Sequence, residues 1–315
     1  MTDEELGEIL LPSIVERQIF LEKGGRLVHY TSAEAGFKII QNREIWLRNS
    51  LLMNDFSEMQ HGHQCLLAAW NSPRGQAFQE WLEILAPGLK AQLVEIFDAH
   101  TPGMKVATFM TSLSEHDNTE DQLGRLSMWR AYGGRNGVAL VLNPTIFTSS
   151  TDELKVYSSP VSYESVDSFV VGFEKWADHL VSYSEKIKAA NPESMLSFLF
   201  FAFRVFVLCT KHPGFWEERE WRIFHSPLLD GSSEWLKKEN EVIGGVPQEV
   251  VKIALRDDES VGIVGVGPST LLNRVIIGPS EYPTPTYHAL YNALSGAGIS
   301  NPAEMLWTSN IPIRH

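Results

Sequence analysis

FWEEREWRIF, residues 215–224, is the stretch from which the rest of the chain is best read. As a β-strand its side chains alternate between two faces. Trp216, Glu218, Glu220, Arg222 and Phe224 then share one face, and Phe215, Glu217, Arg219, Trp221 and Ile223 the other. Glu218 and Glu220 stand side by side, roughly 6–7 Å apart along the strand, with Arg222 one step further. Like charges that close raise the energy unless a cation or a polarised ligand compensates. A solvated edge strand, or a helix carrying a Glu218–Arg222 pair, explains the same letters. The stretch therefore needs support from its surroundings.

Upstream, residues 167–190 and 193–210 predict two consecutive helices. The second carries MLSFLFFAFRVFVLC (195–209), the most apolar run in the chain. It is shorter than a bilayer span and contains Arg204, so a buried helix is expected. Further upstream, KVATFMTSLS (105–114) alternates as a strand, SEHDNTEDQLG is a polar loop, residues 125–131 form a short helix closed by Gly133-Gly134, and GVALVL (137–142) is a buried strand. Strands are also expected at 26–31, 45–48, 154–163, 250–255, 274–277 and 306–311. Helices are expected at 3–23, from an N-cap at Ser32 to about Asn42, and at 56–71, 76–99 and 287–295. Short strands with flanking and inserted helices make an α+β chain.

The chain has 315 residues, 43% of them hydrophobic and 21% charged, which fits a globular protein with a sizeable core. A net charge of −13 argues against a broad grip on nucleic-acid backbone, though not against a short local groove. Cys65 and Cys209 form no disulfide framework. The acidic MTDEELGEILL has none of the basic character of a signal peptide, so a cytoplasmic setting is expected.

Several residues invite a functional reading, each beside an ordinary one. His29 and Tyr30 point to opposite faces of the first strand. His29 followed by Thr31 suits holding a ribose or an amide, and a lone histidine is also a common core residue. Ser112 and Ser114 share a face at the end of their strand and can position a ligand or a carboxylate. Trp129 and Tyr132 lie three apart on a helix and can sandwich a flat ring or fill a core. Asn54, Asp55 and Glu58 suit a cation or a helix start. His61, His63 and Cys65 have metal-ligand chemistry, but a helix splays positions 61 and 63, and no structural zinc site is expected. No G-x-G-x-x-G, P-loop or G-x-S-x-G signature is present.

In order, HYTS (29–32), IWLRN (45–49), NDFSE (54–58), FMTSLSE (109–115), SMWRAYG (127–133), GVALVL (137–142), KHPGFWEEREWR (211–222) and RVIIG (274–278) resemble the bacterial domain-of-unknown-function family twenty-nine seventy-one, from about residue 26 to about 310. The motif order of that family looks like that of the ADP-ribosyltransferase fold. The resemblance implies a single domain over 1–315 with a split β-sheet core, an N-terminal helix at about 1–24 and a helical insertion at about 167–210. It implies NAD as co-substrate without a metal. Glu220 would stabilise an oxocarbenium-like ribose and Glu218 orient or deprotonate the acceptor. His29, Tyr30, Thr31, Ser112, Ser114, Trp129, Tyr132, Arg48 and Arg222 would line the dinucleotide. In that fold a first strand carries His or Arg, a middle segment Ser or Tyr, and a late strand the catalytic Glu; here the first would be His29 and the last Glu218 and Glu220, and the middle position of the motif stays open between Ser112 and Tyr132. A toxin or anti-phage effector acting on a protein or nucleic-acid acceptor, with an antitoxin or other neutralising partner, follows by the same resemblance. Alternatives on the same fold are a non-enzymatic binding or regulatory module and an NAD glycohydrolase.

Overall fold

Alternating apolar and polar residues in RLVHYTS, FMTSLSEH and EWRIFH build the strands that carry the candidate residues. The computed structural model describes residues 1–52, 56–149 and 151–312, with the backbone alone at 12, 13, 16, 17 and 56–58. Asn54 and Asp55, and the side chain of Glu58, lie outside the described residues. The fold is mixed α+β. The strands are β1 (Arg26–Ser32), β2 (Glu44–Asn49), β3 (Phe109–His116), β4 (Gly137–Leu142), β5 (Tyr157–Pro160), β6 (Ser162–Tyr163), β7 (Thr210–Lys211), β8 (Glu220–His225), β9 (Leu236–Ile243), β10 (Val246–Ala254), β11 (Leu272–Ile277) and β12 (Leu306–Thr308).

The described residues group into two compact units. The first comprises Met1–Arg17, Ser50–Thr108 and Ser159–Trp216, so the expected helical insertion belongs to a larger helical body. Its helices Pro73–Leu85, Val166–Ser182 and Pro192–Leu208 interlock through Phe78, Phe173, Trp176, Phe203 and Phe206. Many of these ring pairs are edge-to-face or tilted, the geometry that aromatic quadrupoles favour. The apolar run 195–209 is a buried helix, as its length and Arg204 imply. Among the described residues no helix is long and apolar enough to cross a membrane.

The second unit comprises Gln18–Asn49, Phe109–Ser158 and Glu217–His315. Its sheet runs β12-β11-β4-β1-β3-β2-β10-β9. Neighbours are antiparallel except the parallel pair β11 and β12. β8 lies along one edge of β3, pairing from Phe109↔His225 to Ser114↔Glu220. β1 and β2 must therefore share the opposite edge. β1 pairs only with the end of β3 (Val28↔Ser114 to Arg26↔His116), and β2 only with its start (Arg48↔Met110, Asn49↔Phe109). Between them Thr111, Ser112 and Leu113 have no strand partner on that edge among the described residues, so the sheet splits there.

Directly paired residues share a face. One face carries Leu27, Leu47, Leu113, Leu140, Trp221 and Ile223, buried with Ile40, Leu290 and Leu294 from helices Ala33–Asn42 and Pro283–Gly296. Each such side chain contributes roughly 1.5–3 kcal/mol when fully buried. The other face carries Val28, Tyr30, Ala139, Val141 and Ile276 at one side, packed with Met128 and Trp129. At β3 and β8 the same face turns polar, with Ser112, Ser114, Glu220 and Arg222.

Several boundaries depart from expectation. The strand read across 215–224 begins only at Glu220, because residues Pro213–Glu218 form a 3-10 turn and Arg219 takes φ 42°. Glu218 therefore does not share a strand face with Glu220. The strand at 105–114 starts at Phe109, since the preceding helix continues to Ala107. The helix at 76–99 is two helices, Pro73–Leu85 and Leu89–Ala107, parted at Gly88 (φ 83°). The predicted helix 167–190 is Val166–Ser182 and Ser184–Ile187. β9 had no counterpart in the expectation. It forms a hairpin with β10 through Gly244-Gly245, both at positive φ, the conformation a two-residue hairpin turn favours.

Candidate functional site

Ser112 is the point where the candidate residues meet. Its position in the split leaves its carbonyl without a strand partner there, and His29 Nδ1 lies 3.0 Å from that oxygen. A carbonyl only accepts, so Nδ1 carries the proton. Burial lowers the His29 pKa and the bond to Ser112 partly opposes it, which favours the neutral ring with an acceptor at Nε2. On its other side Ser112 donates Oγ–H to Glu220 Oε1 at 2.5 Å. That short distance fits a charge-assisted bond to a carboxylate.

The same Oε1 accepts Arg222 Nε at 2.9 Å. Glu220 and Arg222 are two apart on β8 and so on one face, as the alternation predicts. Glu220 is only 4% exposed and Arg222 fully buried. A buried ion pair pays for desolvation of both charges and is weak evidence for stability by itself.

Glu218 stands at the end of the 3-10 turn, where Tyr132 donates its hydroxyl to Glu218 Oε1 at 3.0 Å. Tyr132 is 43% exposed and lies on a π-helical turn, Trp129–Gly133, that follows the short helix Leu126–Met128. Of the two residues open for the middle position of the motif, Ser112 thus contacts Glu220 and Tyr132 contacts Glu218.

Other expected residues lie differently. Trp129 is 2% exposed, and its ring is enclosed. A Cβ at Gly124 or Gly278 would approach the indole to 2.7 and 2.8 Å, and Nε1 donates to Leu123 O. A ring packed this way serves the core, in contrast to the expected stacking on a ligand. Tyr30 meets Trp129 edge-on at 4.8 Å and accepts the Arg125 amide with its hydroxyl. Burial pushes the Tyr30 phenol up to about 12. Ser114 is buried, with Oγ 3.9 Å from Met128 Sδ. Thr31 pairs with Val138 at the far end of β1. Arg48 lies on β2 at the other lip of the split, and its Nε donates to Gln248 Oε1 at 3.2 Å. His61 Nε2 donates to Glu164 O, and Cys65 Sγ lies 3.6 Å from the same nitrogen. Among the described residues no three His, Cys, Asp or Glu side chains gather as a metal site.

Sequence reading missed Arg125, Glu120 and Arg219. Arg125 Nη1 donates to the carbonyls of Glu217 (3.0 Å) and Glu218 (3.3 Å), and Glu120 Oε1 accepts both Arg125 Nε (2.8 Å) and Arg219 Nη2 (2.7 Å). The only signal was the density of charge in the loop before Arg125, which by itself reads as solvated. A separate open concavity of about 430 Å³ lies where β11 and β12 end, lined by Gly278, Ser280, Glu281, Ser309 and Asn310. None of the expected residues lines it, and it lacks convergent charges.

A family model described as "Protein of unknown function (DUF2971)" matches residues 128–223, which supports kinship with that family over this part of the chain. That span runs from the π-helical turn through β4 to β8, and so includes Tyr132, Glu218, Glu220 and Arg222. Nothing matches among curated proteins or among solved structures.

Proposed function

We propose that the protein is an NAD-dependent ADP-ribosyltransferase with Glu220 as its central carboxylate. The observation that carries the reading is Glu220 held by Ser112 Oγ and Arg222 Nε beside a split in the sheet, with a second carboxylate, Glu218, on the adjoining turn. Such an arrangement suits glycosyl transfer through a cationic ribose. The bond between C1′ and the nicotinamide nitrogen breaks, and its electron pair leaves with nicotinamide, which becomes neutral. Glu220 stabilises the positive charge left on the ribose. A nucleophile of a protein or nucleic-acid acceptor bonds to C1′, and its proton passes to Glu218. His29, Ser112 and Arg48, placed at or beside the split, supply polar groups for the dinucleotide. A split sheet of this kind is also what an ADP-ribosyltransferase-like fold requires. A role as toxin or defence effector remains part of the proposal through resemblance alone.

The test uses NAD labelled in its adenosine half, incubated with the protein and a bacterial lysate and followed by protease or nuclease digestion. Macromolecular label that falls about 10²–10³-fold in Glu220→Gln supports transfer and identifies the acceptor class. Wild-type turnover in that variant overturns the assignment. Release of free ADP-ribose with no acceptor labelled reassigns the same site to NAD hydrolysis. One observation favours a non-enzymatic module instead: Glu220 and Arg222 are as buried as a structural pair. NAD binding with neither label transfer nor nicotinamide release is the outcome that selects it.

A further inference from the structure

Arg125 has a saturated guanidinium. Nε donates to Glu120 Oε1 (2.8 Å), Nη1 to the carbonyls of Glu217 (3.0 Å) and Glu218 (3.3 Å), and Nη2 to Glu115 O (2.7 Å) and Glu120 Oε2 (3.1 Å). A guanidinium has five N–H donors, and these acceptors match them one for one. The group is thereby committed to the protein, with no donor left for a phosphate. Its own backbone is tied as well, since the Arg125 amide donates to the Tyr30 hydroxyl of β1 at 2.8 Å.

What Arg125 grips is the unusual junction of the site. Arg219 takes φ 42°, a left-handed conformation that side chains other than glycine adopt at a cost. Such a residue persists when its surroundings over-determine it, and this happens most often at functional sites. Here the surroundings are specific. Arg125 holds the two carbonyls before Arg219, and Glu120 holds the Arg219 guanidinium at 2.7 Å. The Arg219 carbonyl in turn accepts the Glu115 amide at 2.9 Å. The left-handed residue interrupts the alternation of the strand. In consequence Glu220 remains on β8 with Ser112, while Glu218 is delivered to Tyr132.

We infer that Arg125, braced by Glu120, is a positioning residue that holds residues 217–219 in this form and thereby sets where the Glu218 carboxylate stands relative to Glu220. The inference rests on the proposed role of Glu218 in orienting the acceptor, but its structural half stands without it. Arg125→Lys keeps the charge and loses the planar fork, and Glu120→Gln keeps the shape and weakens the brace.

Amide hydrogen exchange on the unliganded protein reads the structural half. Protection at residues 217–219 is expected to fall about tenfold or more in both variants, with β3 and the core face of the sheet unchanged. Unchanged protection at 217–219, in whichever variant folds, overturns the inference. Turnover reads the other half. In Arg125→Lys, kcat is expected to fall about 10–100-fold with KM for NAD nearly constant. In a Glu218→Gln background the same substitution should cost no further factor, because Arg125 acts through Glu218. Losses that multiply overturn the positioning role. If the wild type cleaves no NAD, the reaction reading fails by that result, and the exchange measurement alone decides whether Arg125 holds the turn.

Discussion

The two faces of β8 differ in chemistry at equal burial. Trp221 and Ile223 enter the apolar cluster with Leu113, Leu140 and the helices behind them. Glu220 and Arg222, one residue away in each direction, are equally buried and carry opposite charges. Burying apolar surface lowers the free energy of the fold directly. Burying an ion pair does so weakly or not at all, because desolvation cancels most of the attraction. One face thus explains why the strand forms, and the other needs a reason beyond stability. On the proposed function, the candidate site is that reason.

Breaking the apolar face has the largest expected effect. Trp221→Ala removes an indole that is 3% exposed, together with its bond to Glu115, and should lower unfolding stability by about 3–5 kcal/mol in urea titration. A loss below about 1 kcal/mol would contradict its place in the core. On the polar face, Arg222→Met leaves the Glu220 charge buried without this partner, and about 3 kcal/mol should be lost. The double variant Glu220→Leu with Arg222→Met should recover most of that stability while remaining inactive. If the double variant is no more stable than Arg222→Met alone, the pair is structural and the contrast between the faces is lost.

Tyr132→Phe sharpens the comparison at the rim. It removes one exposed hydroxyl bond to Glu218, so stability should change by no more than about 1 kcal/mol. On the proposed function, nicotinamide release from NAD should still fall severalfold. The smallest effect concerns His29, which lies on the apolar side of β1 opposite Leu140 yet reaches Ser112. Burial holds its folded pKa below the ordinary histidine value of about 6.5. The unfolded chain therefore takes up the proton first as pH falls. The stability from the neutral ring is fully present above pH 6.5 and declines below it, through the folded pKa. A His29→Asn variant should show a flatter stability profile below pH 6.5; an identical slope would remove His29 from the account.

Much of this was legible in the letters because it depends on local rules. Alternation located β3 and the shared face of Glu220 and Arg222, a short β-rich run located β1, a continuous apolar run located β4, and Ser32 capped its helix as a short hydroxyl residue does. Apolar content and length identified 195–209 as a buried helix. Local rules also left a readable signal that went unused, the Gly244-Gly245 turn between β9 and β10. What they could not give was anything set by distant partners. Arg219 is left-handed in company with Glu120, 99 residues earlier in the chain, and this ends the alternation that would have put Glu218 beside Glu220. Trp129 reads equally well as a stacking platform or as core until Gly124 and Gly278 are seen against its ring. The sequence by itself determined roughly where most of the strands lie, which residues are apolar and which carry charge, since those follow from side-chain chemistry and spacing. Only the tertiary structure decided that Ser112 joins His29 to Glu220, and that Glu218 goes to Tyr132, because each contact is made across strands or turns far apart in the chain.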